Sequence, residues 1–343
     1  MFKLKQNNTT VRTELVAGIT TFMAMAYILM VNAGMFSTLG GDALGASYYN
    51  AVYIATALSA VFGTLLIGLL SNLPLAQASG MGLNAFFVYS VCIGMGFTYA
   101  NALVMVLVDG IVFLLLTVTG LRRLIFDAIP KAVKAAIAPG IGLFIAFLGL
   151  QNSGIVVNSD STLVDLHSFN IIFGHTTWAE IMPLLITIAA LIAIGAMSKK
   201  KIKGAVFWGI IGGAVLYYAL GLLTIDGFYA SNVQSKLSLN IIQPFRDFFN
   251  ISFGKVFTEG FNFSEYIAAN GVGSFAATFI ASMLAFCMVD MFDTLGTLYG
   301  ACSAGNLLDK DGNVPNMNKA MFADAAATCF GAVCGTSTVT TFV

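Results

Sequence analysis

The chain has 343 residues, of which 58% are hydrophobic and only 9% are charged, and its mean hydropathy is +0.88. This composition excludes an ordinary soluble domain. Sixteen basic and sixteen acidic residues give a formal charge of zero, so the chain lacks the basic excess typical of nucleic-acid-binding proteins. We therefore predict an all-α polytopic membrane protein with no nucleic-acid partner.

Apolar stretches of about 20 residues, which can cross a bilayer as helices, recur along the chain. We predict nine spans, near residues 15–36, 49–70, a broken segment from 74, then 100–120, 135–150, 179–197, 204–224, 267–299 and 319–334. A Gly-rich loop is expected at 40–47, a polar loop at 151–177 and a mixed loop at 226–264. Pro139 and Gly140 suggest a kink or a delayed start in the fifth span.

The basic residues predict the orientation of these spans. With the amino terminus in the cytoplasm, thirteen of the sixteen Lys and Arg fall on cytoplasmic segments, including the pair Arg122 and Arg123. The three exceptions, Lys236, Arg246 and Lys255, share one long loop. We therefore expect a multi-pass protein of the cell membrane with a cytoplasmic amino terminus.

All five cysteines fall in or beside apolar stretches, without the spacing of metal ligands. We expect small buried side chains, no disulfide, no metal site and no cofactor. The five are Cys92, Cys287, Cys302, Cys329 and Cys334.

Residues 74–87 begin with Pro74 and are rich in small, polar and glycine residues, although they enter an apolar span. Irregular backbone at membrane depth survives where protein buries it or water lines it, and broken helices of this kind build transporter sites. The alternatives are an ordinary loop before a helix that starts near Asn84, or small residues for close helix packing. We expect an unwound segment that contributes to a site.

Two carboxylates lie three residues apart in the eighth span, Asp290 and Asp293, so they share a helix face. Ionisable residues at membrane depth are costly and usually face a cavity, a partner or a proton path. We expect this pair to bind substrate and to couple transport to protons, because two like charges in an apolar span favour the uptake of a proton by the pair. Asp109 is either a proton relay or a packing acid, and Asp324 lies in the ninth span without an assigned role.

Residues 21–32 and 278–290 share a Thr-Phe-x-Ala opening and a Met-Val-Asn/Asp close, if one inserted residue is allowed. The same offset maps the broken segment 74–84 onto 332–342, which is also small and hydroxylated. Seven crossings separate the two copies, so the second is inverted, as in many secondary transporters. On this plan the chain is truncated within the tenth helix, and four further helices are missing.

Four motifs, at residues 13–23, 80–87, 289–297 and 335–342, resemble the nucleobase transporters of the xanthine/uracil permease superfamily, and specifically the AzgA-like hypoxanthine/guanine permeases. The resemblance implies a seven-plus-seven inverted-repeat fold with core and gate domains, and nucleobase uptake coupled to protons. It places substrate contacts on Asn84, on Asp290 with Asp293, and on an acidic residue directly after Val343. The corresponding domains are 1–120 (core, first repeat), 121–264 (gate) and 265–343 (core, second repeat).

A purine is flat and edged with donors and acceptors, which carboxylates and the Asn84 amide can match. Phe86, Phe87 or Phe292 could stack on the ring or pack in the core, and Thr338 is a further predicted substrate contact. The expected partners are a purine nucleobase, a proton, the bilayer and, as one assembly, a homodimer. Two alternatives remain: an anion transporter of the same fold, and an intramembrane aspartyl protease, which would need facing acids on separate helices.

Overall fold

The structure is a computed structural model that describes residues 9–120, 130–170, 176–202, 204–229, 240–310 and 312–342. The predictions for Arg122, Arg123, Lys236 and Val343 lie outside these residues. The helices are α1 (Val11–Met25), α2 (Tyr27–Ser37), α3 (Gly41–Ser71), α4 (Met81–Ala85), α5 (Tyr99–Val118), α6 (Lys131–Asn152), α7 (Trp178–Lys199), α8 (Ala205–Thr224), α9 (Ile242–Asp247), α10 (Lys255–Thr258), α11 (Ser264–Asn270), α12 (Val272–Ala304) and α13 (Met317–Cys334).

The described residues also form four short strands. They are β1 (Gln77–Ser79), β2 (Val156–Ser159), β3 (Leu163–Leu166) and β4 (Val339–Thr341). Strands β1 and β4 form one antiparallel pair, and β2 and β3 form another. The prediction of a mostly helical chain is confirmed, but an all-α fold is wrong in detail, because these segments pair as strands.

Five helical stretches among the described residues are long and apolar enough to cross a membrane. They are Val11–Ser71, which holds α1 to α3, then Tyr99–Val118, Trp178–Lys199, Ala205–Thr224 and Val272–Ala304. Many of their large apolar side chains are exposed, such as Leu115 and Leu223. Exposed leucines on apolar helices of this length fit a lipid environment, so the chain is a multi-pass membrane protein.

The chain divides into two compact units. The first comprises Met1–Ala17, Met25–Ile141 and Ile241–Val343, and the second comprises Gly18–Ala24 and Gly142–Asn240. The three-part division into 1–120, 121–264 and 265–343 stays a prediction.

The first unit is built around α13, which packs against α3 and α5, while α12 packs against α5. Small residues permit this closeness: a Cβ on Gly110 of α5 would lie 2.6 Å from Cys329 Sγ of α13. One buried cluster joins these helices, formed by Ile67, Phe113, Met291, Leu295, Leu298, Cys302, Ala320, Met321, Ala323 and Ala325 with neighbours. The core of this unit thus surrounds α13.

In the second unit α7 packs against α8. Thr177 and Glu180 form a capping box at the start of α7, which satisfies two backbone N–H groups that the first helical turn leaves open. Trp178 Nε1 also donates to Thr224 Oγ1 at 2.9 Å. The bond from Trp178 joins the start of α7 to the end of α8.

The structure corrects several predicted boundaries. The prediction of a loop at 40–47 is wrong, because α3 begins at Gly41, whose φ is +54°. Asp42 in the first turn stabilises the helix, since its negative charge lies at the positive end of the helix dipole. The delayed start expected near Pro139 is also wrong, because α6 begins at Lys131 and includes Pro139. The first predicted span is interrupted at Ala26, which keeps helical φ and ψ, so only the hydrogen-bond pattern breaks there.

Candidate functional site

The centre of the first unit contains extended backbone where the surrounding chain is helical. Strands β1 and β4 pair in the register Gln77 with Thr341, Ala78 with Thr340 and Ser79 with Val339, and every residue of both strands is buried. Beyond the ladder, Gly80 N donates to Thr338 O at 3.2 Å. The predicted unwound segment is confirmed, and its backbone groups are satisfied by protein, as membrane depth requires.

Asn84 lies one helical turn beyond this strand pair. Gly80 has extended backbone and marks the change from β1 to α4, and Asn84 N donates to Gly80 O at 3.0 Å. The Asn84 side chain is fully buried, and its Oδ1 accepts a hydrogen bond from Ser79 Oγ at 2.9 Å. After Ala85 the helix continues with π-type hydrogen bonds over Phe86–Gly94. Such π segments occur frequently at functional sites.

Asp293 of α12 lies against this strand-to-helix junction. A Cβ on Gly80 would lie 3.2 Å from Asp293 Oδ2 and 3.1 Å from Thr340 Cγ2. Glycine at position 80 therefore lets the carboxylate approach the backbone closely. The side chain of Asp293 is half-buried. The structure thus brings together Asp293, β1 and the start of α4, which sequence analysis had associated.

Asp290 lies on the same helix, one turn before Asp293, and is fully buried. Cys287, a further turn back, contacts the carboxylate of Asp109 on α5, and Cys329 of α13 packs against the neighbouring Gly110. Asp109 is therefore buried at the packing surface of three helices. Neither member of the predicted acid pair faces lipid as an exposed side chain.

Asp324 of α13 is a buried acid to which the sequence analysis gave no role. Its Oδ1 accepts from Gln77 Nε2 at 3.2 Å, and its Oδ2 accepts from Thr294 Oγ1 at 2.7 Å. These bonds join β1, α12 and α13 at one point. The signal that could have singled out Asp324 is the one used for Asp290, an acid inside an apolar helix.

Thr338 precedes β4 and is fully buried. Its carbonyl oxygen accepts from Gly80 N and, at 3.4 Å, from Ser79 Oγ. Within the described part of the chain, no hydrogen-bond partner is found for its own Oγ1. The hydroxyl can therefore offer a donor and an acceptor beside the strand pair.

The aromatic predictions separate in the structure. Phe86 is half-buried and meets the ring of Phe286 edge-on, with centroids 4.9 Å apart. Phe87 is fully buried and packs on Phe36, also at 4.9 Å, so it belongs to the core. Phe292 packs on the cluster around α13. Phe86 is thus a half-buried ring that lies two residues after Asn84.

Similarity to known proteins covers essentially the whole chain. The model of the xanthine/uracil permeases, described as a permease family, matches residues 12–343. A putative permease of Methanocaldococcus jannaschii is 37% identical over 342 residues, which cover 100% of this chain and 69% of the relative.

Two further relatives have named activities. The guanine/hypoxanthine permease PbuO of Bacillus subtilis is 34% identical over 348 residues, covering 100% of this chain and 71% of the relative. The adenine permease AdeP of Escherichia coli is 32% identical over 343 residues, covering 100% and 67%. These relatives are permeases rather than enzymes, which argues against the intramembrane protease alternative.

Proposed function

Because the chain belongs to the permease family of the xanthine/uracil type, we propose that it is a secondary active transporter that imports purine nucleobases by proton symport. The proposed substrates are guanine and hypoxanthine, with adenine as a further candidate, since the relatives named above include permeases for both kinds of base. One observation carries the proposal: two buried polar atoms beside the strand pair, Asn84 Nδ2 and Thr338 Oγ1, have no hydrogen-bond partner in the described chain, and Asp293 approaches the same junction.

The chemistry of these groups matches a purine edge. The Asn84 amide, the Thr338 hydroxyl and the Asp293 carboxylate together offer donors and acceptors to a flat molecule that carries both. Phe86, which is half-buried, is the proposed stacking residue. A purine whose edge groups are all hydrogen-bonded binds more tightly than a related base that leaves one group unpaired. Each unpaired group costs about 1–3 kcal/mol of binding free energy.

Proton coupling is assigned to Asp290 and Asp293. Asp324 accepts a hydrogen bond at each of its two oxygens, from Gln77 and Thr294, so it serves to join elements. Asp293 is half-buried and lies beside Gly80 at the junction, which supports a role for its carboxylate in both substrate and proton binding. Proton binding at the pair would accompany substrate binding, and proton loss to the cytoplasm would accompany release.

The seven-plus-seven inverted repeat, with core and gate domains, is proposed as the fold. Its support is that the two segments paired by the internal offset, 74–84 and 332–342, contain β1 and β4, which pair antiparallel. An antiparallel pair has a local two-fold axis, as inverted repeats require. An experimental structure in which residues 15–35 do not superpose on 272–293 after an in-plane two-fold rotation would contradict this plan.

The test of function is uptake of labelled hypoxanthine, guanine and adenine by cells that lack their own purine permeases. We expect accumulation that falls when an uncoupler collapses the proton gradient. Asp293→Asn and Asp290→Asn should abolish accumulation, whereas Asp160→Asn, in an exposed turn between β2 and β3, should not. Uptake of anions that is insensitive to pH, without purine uptake, would favour the anion-transporter alternative instead.

The proposed location is the cell membrane, with a cytoplasmic amino terminus, and a homodimer is the candidate assembly. A tag on the amino terminus should be inaccessible to antibody in intact cells and accessible after permeabilisation. Labelling of the tag in intact cells would show that the amino terminus lies outside the cell, opposite to the proposed orientation.

A further inference from the structure

A chain of buried hydrogen bonds ends at the Asn84 amide. Asn32 Nδ2 of α2 donates to Thr336 Oγ1 at 3.0 Å, Thr336 Oγ1 lies 3.2 Å from Ser79 Oγ, and Ser79 Oγ donates to Asn84 Oδ1 at 2.9 Å. All four side chains are at most 2% exposed. We refer to this chain of four residues as the hydroxyl relay.

The direction of the hydroxyl relay is fixed at its far end. Thr56 Oγ1 donates its single proton to Val52 O at 2.7 Å, one helical turn back on α3. In its bond with Asn32 Nδ2, which lies 2.7 Å away, the Thr56 hydroxyl can therefore act only as the acceptor. Asn32 accordingly presents its amide donors to both threonines, and Thr336 must pass its own proton onward.

The remaining steps follow from one proton per hydroxyl. Thr336 Oγ1 accepts from Asn32, and its nearer neighbour for donation is Ser79 Oγ at 3.2 Å, since Thr56 Oγ1 is 3.4 Å away. Ser79 then donates to Asn84 Oδ1, its nearest acceptor. The alternative acceptor, Thr338 O, is 3.4 Å away and already accepts from Gly80 N.

We propose that Ser79 and Thr336 are positioning residues that hold Asn84 with its carbonyl oxygen occupied and its N–H₂ group directed to the substrate. In the described chain Asn84 Nδ2 is buried and has no hydrogen-bond partner. Asn84 is therefore a donor, and the atom of the base that meets it is a hydrogen-bond acceptor. On a 6-oxopurine that atom is the 6-oxo oxygen or one of the ring nitrogens N3 and N7.

The inference rests on the proposed function, because it assumes that a purine occupies this site. It adds a rule of selectivity that the identity of the acids alone does not supply. A base that presents an amino group in place of the acceptor leaves two donors facing each other, and the site then discriminates strongly against it.

The test is competition against binding of labelled hypoxanthine to the purified protein. The competitors are adenine, in which an amino donor replaces the 6-oxo oxygen, 7-deazahypoxanthine, which lacks the N7 acceptor, and 3-deazahypoxanthine, which lacks the N3 acceptor. In the wild-type protein we expect at least one of the three analogues to bind roughly 5- to 150-fold more weakly than hypoxanthine. Adenine also carries an acceptor in place of the N1–H donor, so the acceptor atom is assigned from the analogue whose disadvantage the Ser79 and Thr336 variants reduce. Equal binding of all four bases would overturn the inference.

The variants then test the relay itself. Ser79→Ala should reduce that selectivity ratio at least about fivefold, because the Asn84 amide can turn, and Thr336→Val should shift it in the same direction. The hydroxyl-retaining variants Ser79→Thr and Thr336→Ser should restore the ratio. A purely structural role would lower binding of all bases alike and leave the ratio unchanged, which would overturn the inference.

Failure of the proposed function has a different signature. If the wild-type protein binds and transports no purine, both the proposed function and the inference fall together. If it transports purines but Ser79→Ala and Thr336→Val, each with a wild-type unfolding midpoint, keep the wild-type ratio, the inference alone falls.

Discussion

Gly335 connects α13 to the segment that becomes β4, and its replacement by alanine is the sharpest stability test of this arrangement. Its φ is +97°, in the left-handed region. A Cβ at this position would lie 2.5 Å from both Ser252 Cβ and Tyr99 Oη, and 2.9 Å from Ser252 Cα. Because one of these atoms belongs to the backbone, the collision cannot be relieved by turning a side chain.

Two costs add in Gly335→Ala. Left-handed backbone costs a residue with a Cβ about 1–2 kcal/mol, and overpacking a tight interior costs about 1–3 kcal/mol. We therefore expect the free energy of unfolding to fall by roughly 2–5 kcal/mol. The Tyr99 hydroxyl, which donates to Gly335 O, would also have to move.

Gly254→Ala separates the two costs. Gly254 has φ +71° and ψ 0°, also in the left-handed region, but a Cβ there would meet nothing within 4 Å. The free energy of unfolding of Gly254→Ala should therefore fall only by the backbone cost of about 1–2 kcal/mol. Gly34→Ala, at a helical position with equally open space, should be neutral or stabilising by up to about 1 kcal/mol.

The assay is unfolding of the purified protein in mixed micelles, as sodium dodecyl sulfate is added. The five free cysteines are buried or half-buried, so reaction with a thiol-sensitive dye reports their exposure. If Gly335→Ala is no less stable than Gly254→Ala, the close approach of α13 to the segment around Ser252 is not tight and the reasoning fails.

Two smaller predictions use the same assay. Thr294→Val should lower the free energy of unfolding by about 1–3 kcal/mol, because Asp324 Oδ2 loses this donor, while Thr294→Ser should stay close to wild type. Asn101→Ala removes donors to the carbonyl oxygens of Gly260 at 2.7 Å and Asn262 at 3.0 Å, and should cost a similar amount; wild-type stability would show that water replaces these bonds.

The features that the sequence predicted well have local causes. Pro74 and the small polar residues up to Gly80 cannot continue an apolar helix, so the break between α3 and α4 could be placed from composition. The position of Asp293 beside this break could likewise be expected, because a carboxylate is rare and costly in an apolar span; its role in binding stays a prediction. Each of these two signals is contained within about a dozen consecutive residues.

The features that escaped prediction depend on distant or weak signals. Strands β1 and β4 have three residues each and lie at opposite ends of the chain, so no alternation could reveal their register. Every residue of β3 is exposed, and β2 is at best half-buried, so the hairpin has no hydrophobic face to detect. The start of α3 at Gly41 was missed because glycines near 40 indicated a loop.

The roles of the buried acids show why residue type alone does not define the site. Asp324 and Asp293 both interrupt apolar helices, and sequence pattern treats them alike. In the fold, Asp324 meets the Gln77 amide and the Thr294 hydroxyl, which occupy both of its oxygens, whereas Asp293 meets the bare backbone at Gly80. The absence of a side chain at position 80 is thus as informative as the acid beside it, because it lets the Asp293 carboxylate approach the backbone of the junction closely.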